Sequence, residues 1–298
     1  MLFGRMIFGG LFFAIILFPC FAAQAVEPTV FTSRGPETAL DRRYEYQHQL
    51  LELALEKTIA EFGPYRLERS KIGANTKRAM IEVEKGSYQN FFVANAVTVE
   101  RMQEMVAVPF PIDLGILGYR VFFASEQTCE RLRQVTTLEQ LKKFTMVQGI
   151  GWGDTKILKQ AGFRVTEASD YHGMFQMVAN NRADLFPRGI NEFLREWEVN
   201  REVENLSYDT QLILYYPFPK FFYTAKGNEA QAQRIMTGLI AAYDDGSLLK
   251  LWQSEYQASI DRINLSSRRI LSVENPELDR IDPAYKKYFY LPSQVLTQ

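Results

Sequence analysis

Cysteine, histidine and net charge are all scarce in this chain, and each scarcity excludes something. Of 298 residues only Cys20 and Cys129 are cysteines. Cys20 falls in a leader expected to be removed, so the mature chain cannot close an internal disulfide and must rely on its core. His48 and His172 are the only histidines. Neither joins a His-x-x-x-His or Cys-x-x-Cys pattern, so the common zinc spacings are missing and both are expected as solvated or hydrogen-bonded imidazoles. No Gly-x-Ser-x-Gly elbow occurs. No catalytic residue, metal or other cofactor is expected. The formal net charge is -1, without a block of five or six like charges, which argues against nucleic acid as a partner. Arg42-Arg43 and Arg268-Arg269 read as solvated surface.

Long apolar runs are absent except at the start. Arg5, the apolar run from Met6 to Leu17, the break at Pro19 and the triplet Ala23-Gln24-Ala25 form a secretory signal over residues 1–25, with cleavage before Val26. That run is shorter than the roughly 20 residues a membrane span needs. Cys20 follows Leu17-Phe18-Pro19, where a lipoprotein signal has small residues. The expected product is a soluble exported protein, and its few cysteines suggest a bacterial periplasm. Loss of Arg5 from 34 basic residues leaves 33 against 35 acidic ones. A chain with 47% apolar residues can bury its core as two lobes or as one large domain.

The rest of the chain is organised around Gln148-Gly-Ile-Gly-Trp-Gly-Asp-Thr-Lys-Ile-Leu158, where a short apolar strand enters three glycines and leaves as a helix. Glycines admit close backbone approach, and a helix start offers free N–H groups with partial positive charge, so the turn suits an anion. It has neither nucleotide-binding spacing, and a tight connection without a ligand is the alternative. Before it, Val30 to Thr32 is a strand ending in the turn Ser33-Arg34-Gly35-Pro36. Tyr44 to Glu61 is an amphipathic helix closed by Gly63-Pro64. Tyr65 to Ser70, Phe91 to Ala94, Leu117 to Ala124 and Phe144 to Val147 read as strands, Asn75 to Lys85 as a helix, and Thr137 to Gln140 as a capping box. Beyond it, Asp170, Asn228 and Ser247 are expected helix caps, Pro217-Phe218-Pro219 interrupts a strand where the chain crosses between lobes, and the tail from Arg268 is an irregular strap. Helices alternating with short strands predict an α/β class.

The order of these motifs resembles the family 3 solute-binding proteins. The signal, the first strand-turn-helix, Thr98-Val99-Glu100-Arg101 after a buried strand, a long strand, Leu138-x-x-Leu141 before Val147-Gln148-Gly149, and Gly246-Ser-Leu-Leu249 follow one another as in those type II periplasmic binding proteins. The resemblance implies two lobes: residues 26–119 with 221–298, the latter ending in the C-terminal strap, and residues 120–220. Crossings near Arg120 to Ala124 and Pro217 to Phe222 would form the hinge. It places Arg101 where the family grips a ligand carboxylate with two parallel donors. It sets the turn at 149–155, with Asp154 or Thr155, opposite. Trp152, Arg188, Ser33 and Arg34 are further candidate contacts, each with packing or a structural ion pair as the alternative; Arg120 and Glu192 are weaker ones. Where amino-acid binders carry an acidic residue for the ligand ammonium, this chain reads Ala183-Asp-Leu-Phe-Pro-Arg-Gly189, the mark of a divergent branch without an assigned ligand. The expected protein is a monomer. It binds a small anionic or zwitterionic solute between its lobes and serves an ABC transporter permease or a membrane sensor. A dehydratase-like enzyme using Asp154 or Glu192 as acid is the alternative.

Overall fold

The computed structural model describes residue 1 and residues 27–37, 41–71 and 73–290. The expected signal sequence beyond Met1, with Cys20 and its cleavage point, lies outside the described residues. The first part of the chain runs β1 (Thr29–Ser33), α1 (Glu45–Glu56), α2 (Ile59–Phe62), β2 (Tyr65–Arg69), α3 (Thr76–Glu84), β3 (Phe91–Ala96), α4 (Val99–Glu104) and β4 (Val106–Val108). The middle runs β5 (Tyr119–Ser125), α5 (Glu126–Leu132), α6 (Leu138–Leu141), β6 (Thr145–Gly149), α7 (Gly153–Gln160), β7 (Arg164–Ala168), α8 (Tyr171–Ala179), β8 (Phe186–Gly189), α9 (Ile190–Asn200), β9 (Leu206–Tyr208) and β10 (Leu212–Tyr215). Then follow β11 (Lys220–Thr224), α10 (Glu229–Asp244), α11 (Ser247–Ile263) and β12 (Arg269–Ser272).

These strands form two five-stranded sheets and a parallel pair. One sheet has the order β2-β1-β3-β11-β4; the other has β12-β10-β5-β8 with β9 also on β5, and β6 pairs with β7 beside it. In the first sheet β1 is parallel to β2 and β3, while β11 returns antiparallel between β3 and β4. Segments 109–118 and 216–219 join the sheets, and the chain passes between them a third time at 264–268, from α11 into β12. The stretch Arg120 to Ala124, expected at a crossing, lies inside β5, whose residues are all buried. An apolar run paired on both edges is a central strand, so the crossing is the segment before it.

Local chemistry explains where several elements begin and end. Thr137 and Gln140 form the expected capping box at α6, and the Asp170 side chain accepts the His172 amide at α8. The helix expected over 44–61 is two helices, because the Thr58 hydroxyl donates back to the Ala54 and Leu55 carbonyls at the break. Two expected caps differ. Asn228 turns its amide to Thr224, and α11 is entered through left-handed Gly246 (φ 77°) with Ser247 as its first residue.

The C-terminal segment differs most from expectation. Residues 269–272 are β12, parallel to β10 in the second sheet, so this part of 221–298 does not belong with the first lobe. Arg268, expected at the surface, is buried and donates to the Ile263 and Asp209 carbonyls. From β12 the chain crosses back. Asn275 donates to the Pro217 carbonyl at 2.9 Å, Glu277 pairs with Lys156 of α7, and Tyr285 and Tyr288 pack on Phe221 and Phe110 of the first lobe.

Helices α1 and α10 pack on the first sheet, and α11 packs on both of them and on α9 of the second lobe. Gly238 permits the close crossing of α10 on α1, since a methyl there would lie 2.0 Å from the Ala54 carbonyl oxygen. A glycine-to-alanine change inside a helix gains up to about 1 kcal/mol in propensity, whereas overpacking costs about 1–3 kcal/mol. Gly238→Ala should therefore lower the thermal midpoint by several degrees; an unchanged or raised midpoint would show that the helices separate freely.

Candidate functional site

A cavity of about 530 Å³ opens between the two sheets beside the crossings, within the range typical of small-molecule sites. Its first-lobe wall includes Glu37, Arg43, Tyr46, Glu255 and Tyr256, its second-lobe wall Tyr171, Asn191, Glu192 and Glu196, and its floor Asp113 from the 109–118 crossing and Lys220 at the start of β11. Arg34 orders part of the first wall. It is buried, stacks 3.8 Å from the Tyr44 ring centre, and donates to Glu37, Thr76 and the Ala74 carbonyl. Ser33 is used internally too, with its hydroxyl 2.7 Å from the His48 Nδ1 and bonded to the Glu68 carbonyl. Arg43 pairs with Asp41 at 2.8 Å and Glu37 at 3.1 Å, so it is less solvated than expected, while Arg42 is exposed.

Arg188 is the hub of the second wall. Its guanidinium donates to both Glu196 oxygens, the shortest bond being 2.6 Å, and lies 2.9 Å from Glu192. It sits 4.6 Å from the Trp152 ring centre and 5.8 Å from that of Tyr171, whose hydroxyl donates to Glu196 at 2.5 Å. Burial alone would raise the Glu192 carboxyl, but the charges of Arg188, Lys220, Arg120 and Arg43 overcome it and hold the group at about 2. Burial dominates at Glu196 and keeps it above the ordinary value. The pattern Arg188, Glu192, Glu196 places one residue per helical turn across the β8–α9 junction.

The turn at 149–155 closes on its own lobe and on the other. Trp152 lies flat on Gly149, where a methyl would come 2.3 Å from the indole, and stacks on Phe186 at 6.1 Å. Asp154 is 3.0 Å from buried Arg120 and accepts the Tyr216 hydroxyl at 3.2 Å. Gly153 meets the end of β3 so closely that a methyl would lie 3.2 Å from Ala96 Cβ and 3.1 Å from Phe218. The Thr155 hydroxyl is buried without a hydrogen-bond partner among the described residues. Arg101 follows the Thr98 cap, and its guanidinium donates to the Ala96 carbonyl at 2.7 Å. The structure therefore brings together Trp152 with Arg188 and Asp154 with Arg120, and places Arg101 off the cavity wall.

Sequence reading missed Lys220 and Asp113. Lys220 follows Pro217-Phe218-Pro219, a stretch recognised as a crossing but not searched for charge. Burial, opposed by Lys220, pushes the Asp113 carboxyl up to about 6, and one of its oxygens has no hydrogen-bond partner among the described residues.

No protein-family model and no curated protein matches the chain. Solved structures do match in fold. An ancestral arginine-binding protein bound to arginine has a TM-score of 0.55 and 14% identity, covering 76% of this chain and 98% of that one. A periplasmic His/Glu/Gln/Arg/opine family-binding protein from Silicibacter pomeroyi, in complex with lysine, has a TM-score of 0.56 and 10% identity, covering 76% and 96%. An ancestral amino-acid-binding protein, a precursor of cyclohexadienyl dehydratase, has a TM-score of 0.56 and 11% identity, again covering 76% and 96%. Such identities establish fold alone. The chain has the two-lobed α/β fold of type II periplasmic binding proteins, and its sequence is far from these structural neighbours.

Two measurements check the electrostatics. Arg188→Met leaves Glu196 buried and unpaired and should cost about 3–5 kcal/mol in urea denaturation, most of it recovered in Arg188→Met/Glu196→Leu; equal losses in both variants would show that the pair does not carry the effect. For Asp113, a folded pKa of about 6 exceeds the unfolded value of about 3.9. The folded state then holds the extra proton between those values, so its stability falls as pH rises from about 4 to 6. The wild-type midpoint should fall relative to Asp113→Asn across that window; a constant difference would refute the shift.

Proposed function

We propose that the chain is an exported solute-binding protein that takes a small anionic or zwitterionic solute into the cavity between its lobes. The observation that carries this reading is a cavity whose wall is drawn from both lobes and whose floor is Asp113 of the 109–118 crossing and Lys220 at the start of β11. A solute there touches both lobes at once, and closure is favoured by its differential affinity for the closed form. The structural neighbours support the reading as proteins that bind amino acids. The signal-like leader supports export. Delivery to an ABC transporter permease and docking on a membrane sensor both suit such a protein, and the neighbouring genes separate them: importer genes favour the first, a histidine kinase or cyclase gene the second.

Of the two acids open to the dehydratase alternative, Asp154 and Glu192, Glu192 is held at about 2, is ionised at neutral pH and does not suit that role.

A thermal-shift screen of the chain from Val26 against amino acids, organic acids and small peptides tests the proposal. A solute at 100 times its Kd should stabilise the protein by about 2.7 kcal/mol, a shift of several degrees. If no member of the panel gives a saturable shift, the reading is wrong.

A further inference from the structure

The charges around the cavity are almost all spoken for. Arg43 is held by Asp41 and Glu37, Arg195 by Glu255, and Arg188 behind the wall by Glu192 and Glu196. Lys220 is different. Among the described residues its ammonium has no hydrogen bond and no carboxylate oxygen within 4.0 Å, although it is half-buried and lines the cavity. Its backbone is fixed. The Lys220 carbonyl accepts the Ile112 amide at 3.0 Å, the preceding Pro219 carbonyl accepts the Val97 amide at 3.0 Å, and Lys220 pairs with Ala96 of β3. It thus stands where the two crossings run side by side. Across the cavity, the Glu192 side chain has one ion pair among the described residues, with Arg188, and lies in the field of Lys220.

A half-buried ammonium with no direct hydrogen bond keeps donors for an anion and is less screened by water than an exposed one, although Asp113 and Glu192 share its field. The turn at 149–155, by contrast, has its Asp154 and Trp152 engaged, and it abuts Ala96 and Phe218 directly. We propose that Lys220, at the start of β11 beside the crossing, receives the carboxylate of the bound solute, and that Glu192 opposite receives its positively charged group when the solute has one. This rests on the solute-binding function proposed above. It moves the anion seat from Arg101 and the start of α7 to the hinge.

Isothermal titration of wild type, Lys220→Met, Lys220→Arg, Arg101→Met and Glu192→Gln tests it, using the twenty amino acids and the C3 to C6 mono- and dicarboxylates as probes. For carboxylates that bind wild type, Lys220→Met should weaken binding about tenfold or more, as expected for loss of one charge-assisted hydrogen bond. Lys220→Arg should recover most of the affinity, and Arg101→Met should stay within about threefold of wild type. Glu192→Gln should weaken amino acids more than the acids that lack an amine. Retained binding in Lys220→Met, or loss in Arg101→Met, overturns the assignment while leaving the protein a solute binder. A wild-type chain that binds none of these carboxylates overturns it as well, and if it binds no solute of any kind the function proposed above falls with it. Unaltered thermal midpoints of the unliganded variants establish that each is folded.

Discussion

The buried ion pair of Arg188 with Glu196 and Glu192 is the interaction on which the cavity depends. It fixes the junction where β8 passes into α9, and it fixes the phase of that helix, so that Glu192 faces the open space while Glu196 faces inward. It also supplies a planar cation on which Trp152 and Tyr171 rest. Burial of such charges is unfavourable unless their hydrogen bonds are met. At this position they are met by two carboxylates and a tyrosine hydroxyl, so the group holds one arrangement and passes it to the neighbouring wall.

A second polar group, Arg120 with Asp154 and Tyr216, does the same for the start of α7. The two groups share a consequence. Arg188 and Asp154, which look like ligand contacts in the linear sequence, are paired within the protein, whereas the Thr155 hydroxyl at the same turn as Asp154 has no partner among the described residues. An arginine in a turn can grip a ligand or a neighbouring carboxylate with equal chemical competence, and its surroundings decide between them.

The legible parts of the sequence were those with local causes. Thr137 and Gln140 announce a cap because the bonds they make are three residues apart, and the glycines before α7 announce a tight turn because the backbone requires them. The strands β4, β9 and β12 had no such mark. Each is four residues or fewer, and each is defined by the strand it pairs with rather than by its own pattern. Arg268 was misread for the same reason, since its burial follows from the pairing of β12 with β10. The side-chain direction of Arg188 was partly recoverable, because Arg188, Glu192 and Glu196 recur at helical spacing. That of Lys220 was not, because it depends on how two distant segments meet at Ile112.

The segment between β12 and the terminal tyrosines fastens three parts of the molecule at one short stretch. Asn275 holds the 216–219 crossing, and Glu277 reaches both Lys156 on α7 and the Val99 amide at α4. The Glu277 fastening stands apart from the segments that join the sheets, and it ties α7 of one lobe to α4 of the other at a separate point. The exposed Lys156 end contributes no more than about 1 kcal/mol, less than twice the thermal energy. So weak a tie can form and break readily, and it biases the angle between the lobes without locking it.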